Sequence, residues 1–331
     1  MPHAARATAE LFWRLSARTH TGGFGRALGL TLPADGGAVE LRKLGATETV
    51  VAVDAPAWLC DASGVSPAGV IAIFDEVSSY VGAALWDPRC RPGISVNLSA
   101  VMSDRAAAAI GPGARLVVTS RKQRLGRTLG FIDVSVALEE AGRSELLLRG
   151  RHTKFMPGTG LRPELLSAPG PWRPLLLRAA HAYLDRMPVV PSARAPPSCF
   201  ADVFPSPTAG EYVLSAAHAN PLGAFHGGAA VILAAHAADR HGAASGADGR
   251  RRRVRTISAN LLSGIALAGD VRVRVDAADG PGEDSVVATI TRLDAVSAAK
   301  RPAAAGGSGA PFAVECTVTY AAHEARSCAR A

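Results

Sequence analysis

The sequence predicts an α+β protein built from two related units in tandem, each an antiparallel sheet packed on one central helix. Three observations carry this expectation. A leading helix, a short strand region, an apolar helix and a run of strands follow one another twice along the 331 residues,. Each half holds one helix apolar enough to belong inside a core. The strands after each such helix are separated by Gly-rich or charged turns, as in antiparallel pairing. A chain of this length can bury two cores. The boundaries read as 1–157 for the first unit with its leading helix, 158–197 for a Pro-rich linker carrying the leading helix of the second unit, and 198–325 for the second unit.

Residues 7–20 form the first leading helix, with Ala9, Phe12, Trp13 and Leu15 on one face at helical spacing,. The same region carries Arg6, Arg14, Arg18 and Arg26 against Glu10 alone, a bias also found in transit peptides,. Segments 38–43 and 48–53 alternate as strands do,. A helix follows over about 67–85: Pro67 suits its first turn, where a missing N–H costs nothing, and Val70, Ile71, Ile73, Phe74, Val77 and Val81 nearly encircle it,. Four strand candidates, 94–101, 114–122, 128–138 and 145–155, read as one antiparallel meander,. After the linker, with a helix at 174–186, the second unit shows a strand at 212–217 and a helix at 227–240. Strands near 255–262, 270–276, 285–293 and 312–321 complete it, and 296–310 reads as a low-complexity surface insertion,.

Composition narrows the function classes. With 48% hydrophobic and 19% charged residues the chain is globular rather than disordered,. No apolar run reaches the ~18 residues of a membrane span. Five widely spaced cysteines (Cys60, Cys90, Cys199, Cys316, Cys328) without a Cys-x-x-Cys argue against a disulfide framework or zinc site,. They suit a reducing compartment, cytoplasm or mitochondrion, between which the sequence does not choose. The net charge of +8 favours an anionic partner: nucleic acid, a membrane surface or a phosphorylated small molecule,. With 5% aromatics and no basic–aromatic interleaving, nucleic acid is not the expected one,.

Two segments carry chemistry. Asn220, Gly223, His226, Gly227 and Gly228 lead into the second apolar helix. A helix start has unpaired N–H donors and a partial positive charge, and the glycines leave it open to a carbonyl that becomes an oxyanion. Asn220 and His226 flank the turn and can orient carbonyl or water; the same residues also make an ordinary helix cap. Asp75 lies inside the first apolar helix, where burial should raise its pKa toward that of a general base. Alternatively, Asp75 and Glu76 mark a solvated helix edge. Ser95 can hydrogen-bond the carboxylate or its water, or be a plain strand serine.

A family resemblance rests on segments in this order: Phe24-x-Arg26-x-Leu28-Gly29, the 69–79 helix, Gly93 to Asn97, Gly126 to Phe131, and Gly150 to Lys154. Together with Asn220-x-x-Gly-x-x-His226-Gly-Gly they resemble the hotdog-fold acyl-CoA thioesterases of the thioesterase-superfamily-member-2 and phenylacetate-pathway type. The likeness covers most of about 9–157 and, more weakly, about 172–322. It implies two tandem hotdog domains, each an antiparallel sheet wrapped around a central helix, paired as a pseudo-dimer. It further implies a site with parts from both partners: Asn220, His226 and Gly227 opposite Asp75 and Ser95, with Glu76 a competitor for the acid. At the reciprocal place the sequence departs from the family, with Cys60 or Asp61, Ser66 and Pro67 in place of the Asn and His-Gly, and Ala235 in place of the acid. One composite site is therefore expected, hydrolysing fatty acyl-CoA, with no metal or redox cofactor. Arg127, Lys154 and Arg253, the last within the basic run 250–255, are candidates for the CoA phosphates or else surface residues of an Arg-biased chain. A homodimer of tandem chains, with four hotdog units, is a further expectation. The rivals are a non-catalytic acyl-CoA-binding or assembly-stabilising protein and an enoyl-CoA hydratase.

Overall fold

The computed structural model describes residues 6–7, 9–11, 13–14, 23–33, 37, 39–61, 64–87, 91, 93–103, 110–156, 172–186, 197–206, 209–220, 224–245, 253–262, 270–277, 285–293 and 314–321. Parts of the expected leading helix (Phe12 and Leu15 included), most of the linker, residues 250–252 and the 296–310 insertion lie outside these residues.

The first half supplies β1 (Glu40–Leu44), β2 (Glu48–Asp54), the short pair β3 (Cys60–Asp61) and β4 (Gly64–Val65), then β5 (Ile94–Met102), β6 (Arg115–Leu125), β7 (Leu129–Glu140) and β8 (Arg143–Phe155). The second half supplies β9 (Glu211–Val213), β10 (Arg253–Leu261), β11 (Asp270–Ala277), β12 (Ser285–Leu293) and β13 (Val314–Ala321). All but β3 and β4 join in one 11-stranded sheet of order β1-β2-β6-β7-β8-β5-β10-β13-β12-β11-β9. Outward from the middle, the first half runs β5, β8, β7, β6, β2 and the second runs β10, β13, β12, β11, β9. Both halves thus repeat one strand order, with β1 as an extra edge strand. They meet at the antiparallel β5–β10 pair, where Ser99 lies opposite Ser258 and the Asn97 amide donates to Asn260 Oδ1 at 2.9 Å.

The expected four-strand meander needs correcting: β6, β7 and β8 form it, while β5 pairs with β8 and not with β6. The connection between β5 and β6 is too long for a hairpin, which leaves β5 free to cross to the far side of β8 and form the seam. Along β7, buried Ile132, Val134, Val136 and Leu138 alternate with outward residues, so one sheet face makes the core,.

Two central helices pack on that face and against each other. The first, Pro67–Val77, is buried from Ala68 to Val77, as its encircling apolar pattern requires. It continues to Trp86 through a wide π turn at Ser78–Ala83. The Ser78 and Ser79 hydroxyls donate back to the Phe74 and Asp75 carbonyls, both at 2.6 Å, competing with the helix's own N–H groups there,. The second central helix, Gly227–Ser245, runs past the expected end at 240. The helices approach closely at Gly228, where an added Cβ would lie 2.9 Å from Ala72 Cα.

The strand expected at 212–217 stops at Val213, because Ser215 caps a tight turn over Ala216–His218. Its N–H donates to His218 Nδ1 at 2.8 Å, which takes the chain out of the ladder. The short helix Gly23–Ala27 of the first half reaches this turn: Phe24 N donates to Ala219 O at 3.3 Å. The helix Trp172–Arg186, expected to lead the second unit, packs on the first leading helix through Leu184 against Leu11 and His181 Nδ1 at 3.0 Å from Arg14. Among the described residues, Cys60, Cys199 and Cys316 form no disulfide, and no helix is long and apolar enough to cross a membrane.

Candidate active site

The first central helix carries Asp75 to the start of the second. Asp75 is 0% exposed, and its Oδ2 accepts the Gly228 N–H at 2.7 Å. His226 Nδ1 lies 3.3 Å from the same oxygen. Asp75 Oδ1 accepts from the Ser95 hydroxyl at 2.8 Å, with His152 Nε2 3.1 Å away. Ser95 stands at the bulge in β5, next to the seam, which brings it within reach of both helices. Asp75, Ser95 and His226 are thus brought together, and Gly227 adjoins them: an added Cβ there would meet Ser95 Cβ at 3.0 Å and Asp75 Oδ2 at 3.3 Å.

The donors divide in a way the sequence did not show. Gly228 N–H is spent on Asp75, whereas Gly227 N–H makes no hydrogen bond to a described residue and is half-exposed at the helix mouth. That leaves Gly227 as the donor able to meet a developing oxyanion. Asn220 closes the approach loop: its N–H donates to Ala224 O at 2.8 Å and its Oδ1 accepts from Ala224 N at 3.1 Å. Gly223 lies outside the described residues.

Two side chains of β8 complete the cluster. Alternation along the strand turns Gly150, His152 and Lys154 inward,. His152 bridges Ser78 Oγ (2.7 Å from Nδ1) and Ser95 Oγ (2.9 Å from Nε2), and is held neutral, its pKa pushed down to about 3 by burial and by Lys154. Lys154 corrects an expectation. It is 2% exposed and donates to Ser79 Oγ at 2.5 Å, so it lies beneath the site rather than on a surface that a CoA phosphate can reach. Burial lowers its pKa to about 8. Period-two reading of 148–154 was the signal that would have found both residues.

The expected rise in the Asp75 pKa is overturned too. Burial pushes it up, but the positive charges of His226 and Lys154, the adjoining His152 ring and the Ser95 hydrogen bond outweigh burial and hold the carboxyl below its usual range,. His226 moves the other way: burial opposes its charge, while Glu76 and Asp75 together raise its pKa. Glu76, the alternative acid, is no solvated edge; its Oε2 lies 2.6 Å from His226 Nε2.

The remaining candidates stand apart. Arg127 is exposed in the β6–β7 turn, and its carbonyl accepts from Arg91 Nη1 at 3.1 Å. Arg253 opens β10, with its side chain outside the description. In the second helix, buried Ala235 stands where an acid was sought, and His236 stacks on Phe200 with ring centroids 3.7 Å apart. Among the described residues, no group of three or more His, Cys, Asp or Glu side chains is arranged to hold a metal ion.

No family model and no curated protein matches the sequence. Solved structures do resemble it. Zebrafish thioesterase superfamily member 2 is 24% identical over 36% of this chain and 81% of its own, with a TM-score of 0.31. A 12:0-ACP thioesterase from Umbellularia californica is 7% identical over 85% of this chain and 99% of its own, at 0.49. A Streptococcus pneumoniae structure, described as a hypothetical thioesterase protein with coenzyme A, is 19% identical over 38% and 88%, at 0.31.

Proposed function

We propose that the chain is an acyl-thioester hydrolase that cleaves fatty acyl-CoA to free fatty acid and CoA, at one composite site between two tandem hotdog domains paired as a pseudo-dimer. The observation that carries this reading is the 2.7 Å bond from Gly228 N–H to Asp75 Oδ2, which sets a carboxylate of one half against an open helix mouth of the other. The repeated strand order about the β5–β10 seam supports the pairing.

In this reading the thioester carbonyl points at Gly227 N–H, where the helix dipole also favours negative charge. Water adds to the carbonyl carbon as its proton passes to Asp75, which Ser95 and Gly228 hold in place. The tetrahedral oxyanion collapses, the C–S bond breaks, and the thiolate leaves with the proton, giving a carboxylic acid and a free thiol. Direct attack by Asp75 through a mixed anhydride gives the same products; only that route carries labelled oxygen from water into Asp75 in a single turnover. Asn220 shapes the approach loop, and exposed Arg127 remains a candidate for the CoA phosphates, with Arg253 as another.

The test is thiol release from a panel of acyl-CoAs. Wild type is expected to release thiol, and Asp75→Asn, which keeps the shape of the side chain, to lose at least about 100-fold. Binding without thiol release in the wild type establishes the non-catalytic alternative. Loss of the enoyl absorbance of crotonyl-CoA marks a hydratase.

A further inference from the structure

Glu76 has no part in the steps above, yet it is buried at the site and closely packed. It is 1% exposed, its Oε2 lies 2.6 Å from His226 Nε2, and its Oε1 occupies space that only a glycine leaves. A Cβ added to Gly25 would lie 2.3 Å from that oxygen. The neighbouring Phe24 ring covers His226, with centroids 4.9 Å apart, and Phe24 N–H ties the segment to Ala219 on the loop that leads to His226. One short piece of the first half thus makes room for Glu76 and walls in its partner.

The groups around His226 come from three elements. Glu76 and Asp75 approach from the first central helix and favour a proton on the ring, while Lys154 and His152 act from β8. The Gly228 N–H, 3.1 Å from Nδ1 but bonded chiefly to Asp75 Oδ2, opposes that proton from its own helix. Two adjacent buried carboxylates are costly unless cations offset them. Lys154 supplies one positive charge and a protonated His226 supplies the other.

We infer that Glu76 is a positioning residue: it grips His226 by Nε2, turns Nδ1 toward Asp75 Oδ2, and keeps the ring cationic beside the Gly227 mouth. A cation there stabilises the oxyanion and the departing thiolate, so activity should fall as His226 loses its proton. This catalytic consequence rests on the proposed hydrolysis; the grip on His226 does not.

The experiment reads the two separately. His226 is titrated by NMR in substrate-free wild type, Glu76→Gln and Gly25→Ala, and kcat and KM are followed against pH with acyl-CoA. Glu76→Gln keeps an acceptor for Nε2–H and removes the charge, so His226 should titrate about one pH unit lower or more. The alkaline limb of kcat should move down with it while KM changes less than about twofold. Gly25→Ala, which displaces the carboxylate without touching it chemically, should shift the titration in the same direction. An unmoved His226 titration overturns the proposal, whatever hydrolysis does. A moved titration with an unmoved kcat limb overturns its catalytic part. A moved titration in a protein that releases no thiol upholds the grip and ends the thioesterase reading instead.

Discussion

At the start of the first central helix stand Ser66 and Pro67; at the start of the second stand His226, Gly227 and Gly228. Pro67 has no N–H, and the Ser66 side chain makes no capping bond, so the first mouth offers no donor where the second offers Gly227,. The far ends of the comparison are reversed. Asp75 lies the same distance along the first helix as Ala235 along the second, and only Asp75 has a cluster of donors gathered on it. Around Ala235 the packing is apolar, with Ala234 and Ala238 buried beside it. Each half has kept what the other lacks, and the donor mouth of one half meets the acid of the other.

The largest expected effect comes from giving the second mouth the chemistry of the first. Gly227→Pro removes the Gly227 N–H and also sets a ring against Ser95 and Asp75, and should lower kcat about 100-fold or more,. Circular dichroism with thiol-release kinetics checks it, and activity within tenfold of wild type would show that the oxyanion is held elsewhere. Next comes the reverse exchange. Ala235→Asp places a carboxylate in an apolar core without matching donors, and should cost about 3 kcal/mol or more in urea unfolding while adding no turnover.

The electrostatic contrast sharpens with pH. His152 titrates near 6.5 when unfolded and only at about 3 when folded,. Between those values the unfolded state holds the extra proton, so stability is lost as pH falls from about 6.5 to 3. Denaturant unfolding of His152→Gln across this window should show a slope shallower by about one proton; an equal slope would mean that the buried ring does titrate. The smallest effect is expected from Pro67→Gly, which restores a backbone N–H to the mouth of the first helix. It should cost under about 1 kcal/mol and leave kcat unchanged, measured by the same assays. A gain in rate would show the first mouth to be functional after all.

Much of the site was legible before folding because it is local. Gly227 and Gly228 announce an open helix start within a few residues, and Asp75 stands out as a carboxylate inside an apolar helix. What escaped notice depends on distant partners. Nothing near Gly228 says that its N–H meets Asp75, and nothing near Asp75 says that His226 and Lys154 will lower its pKa rather than let burial raise it. Nothing near Gly25 says that Glu76 will be packed against it.

The chain by itself determined its elements: the two apolar helices, most strand positions, the repeat, and which half carries the acid and which the open mouth. These follow from periodicity and from backbone groups that each residue carries wherever it goes. Tertiary structure decided that β5 leaves the meander to form the seam, that Gly228 rather than Gly227 binds the carboxylate, and that Glu76 belongs to His226. Those outcomes depend on strand pairing and charge balance between residues far apart in sequence, and such energies exist only once the two helices lie side by side.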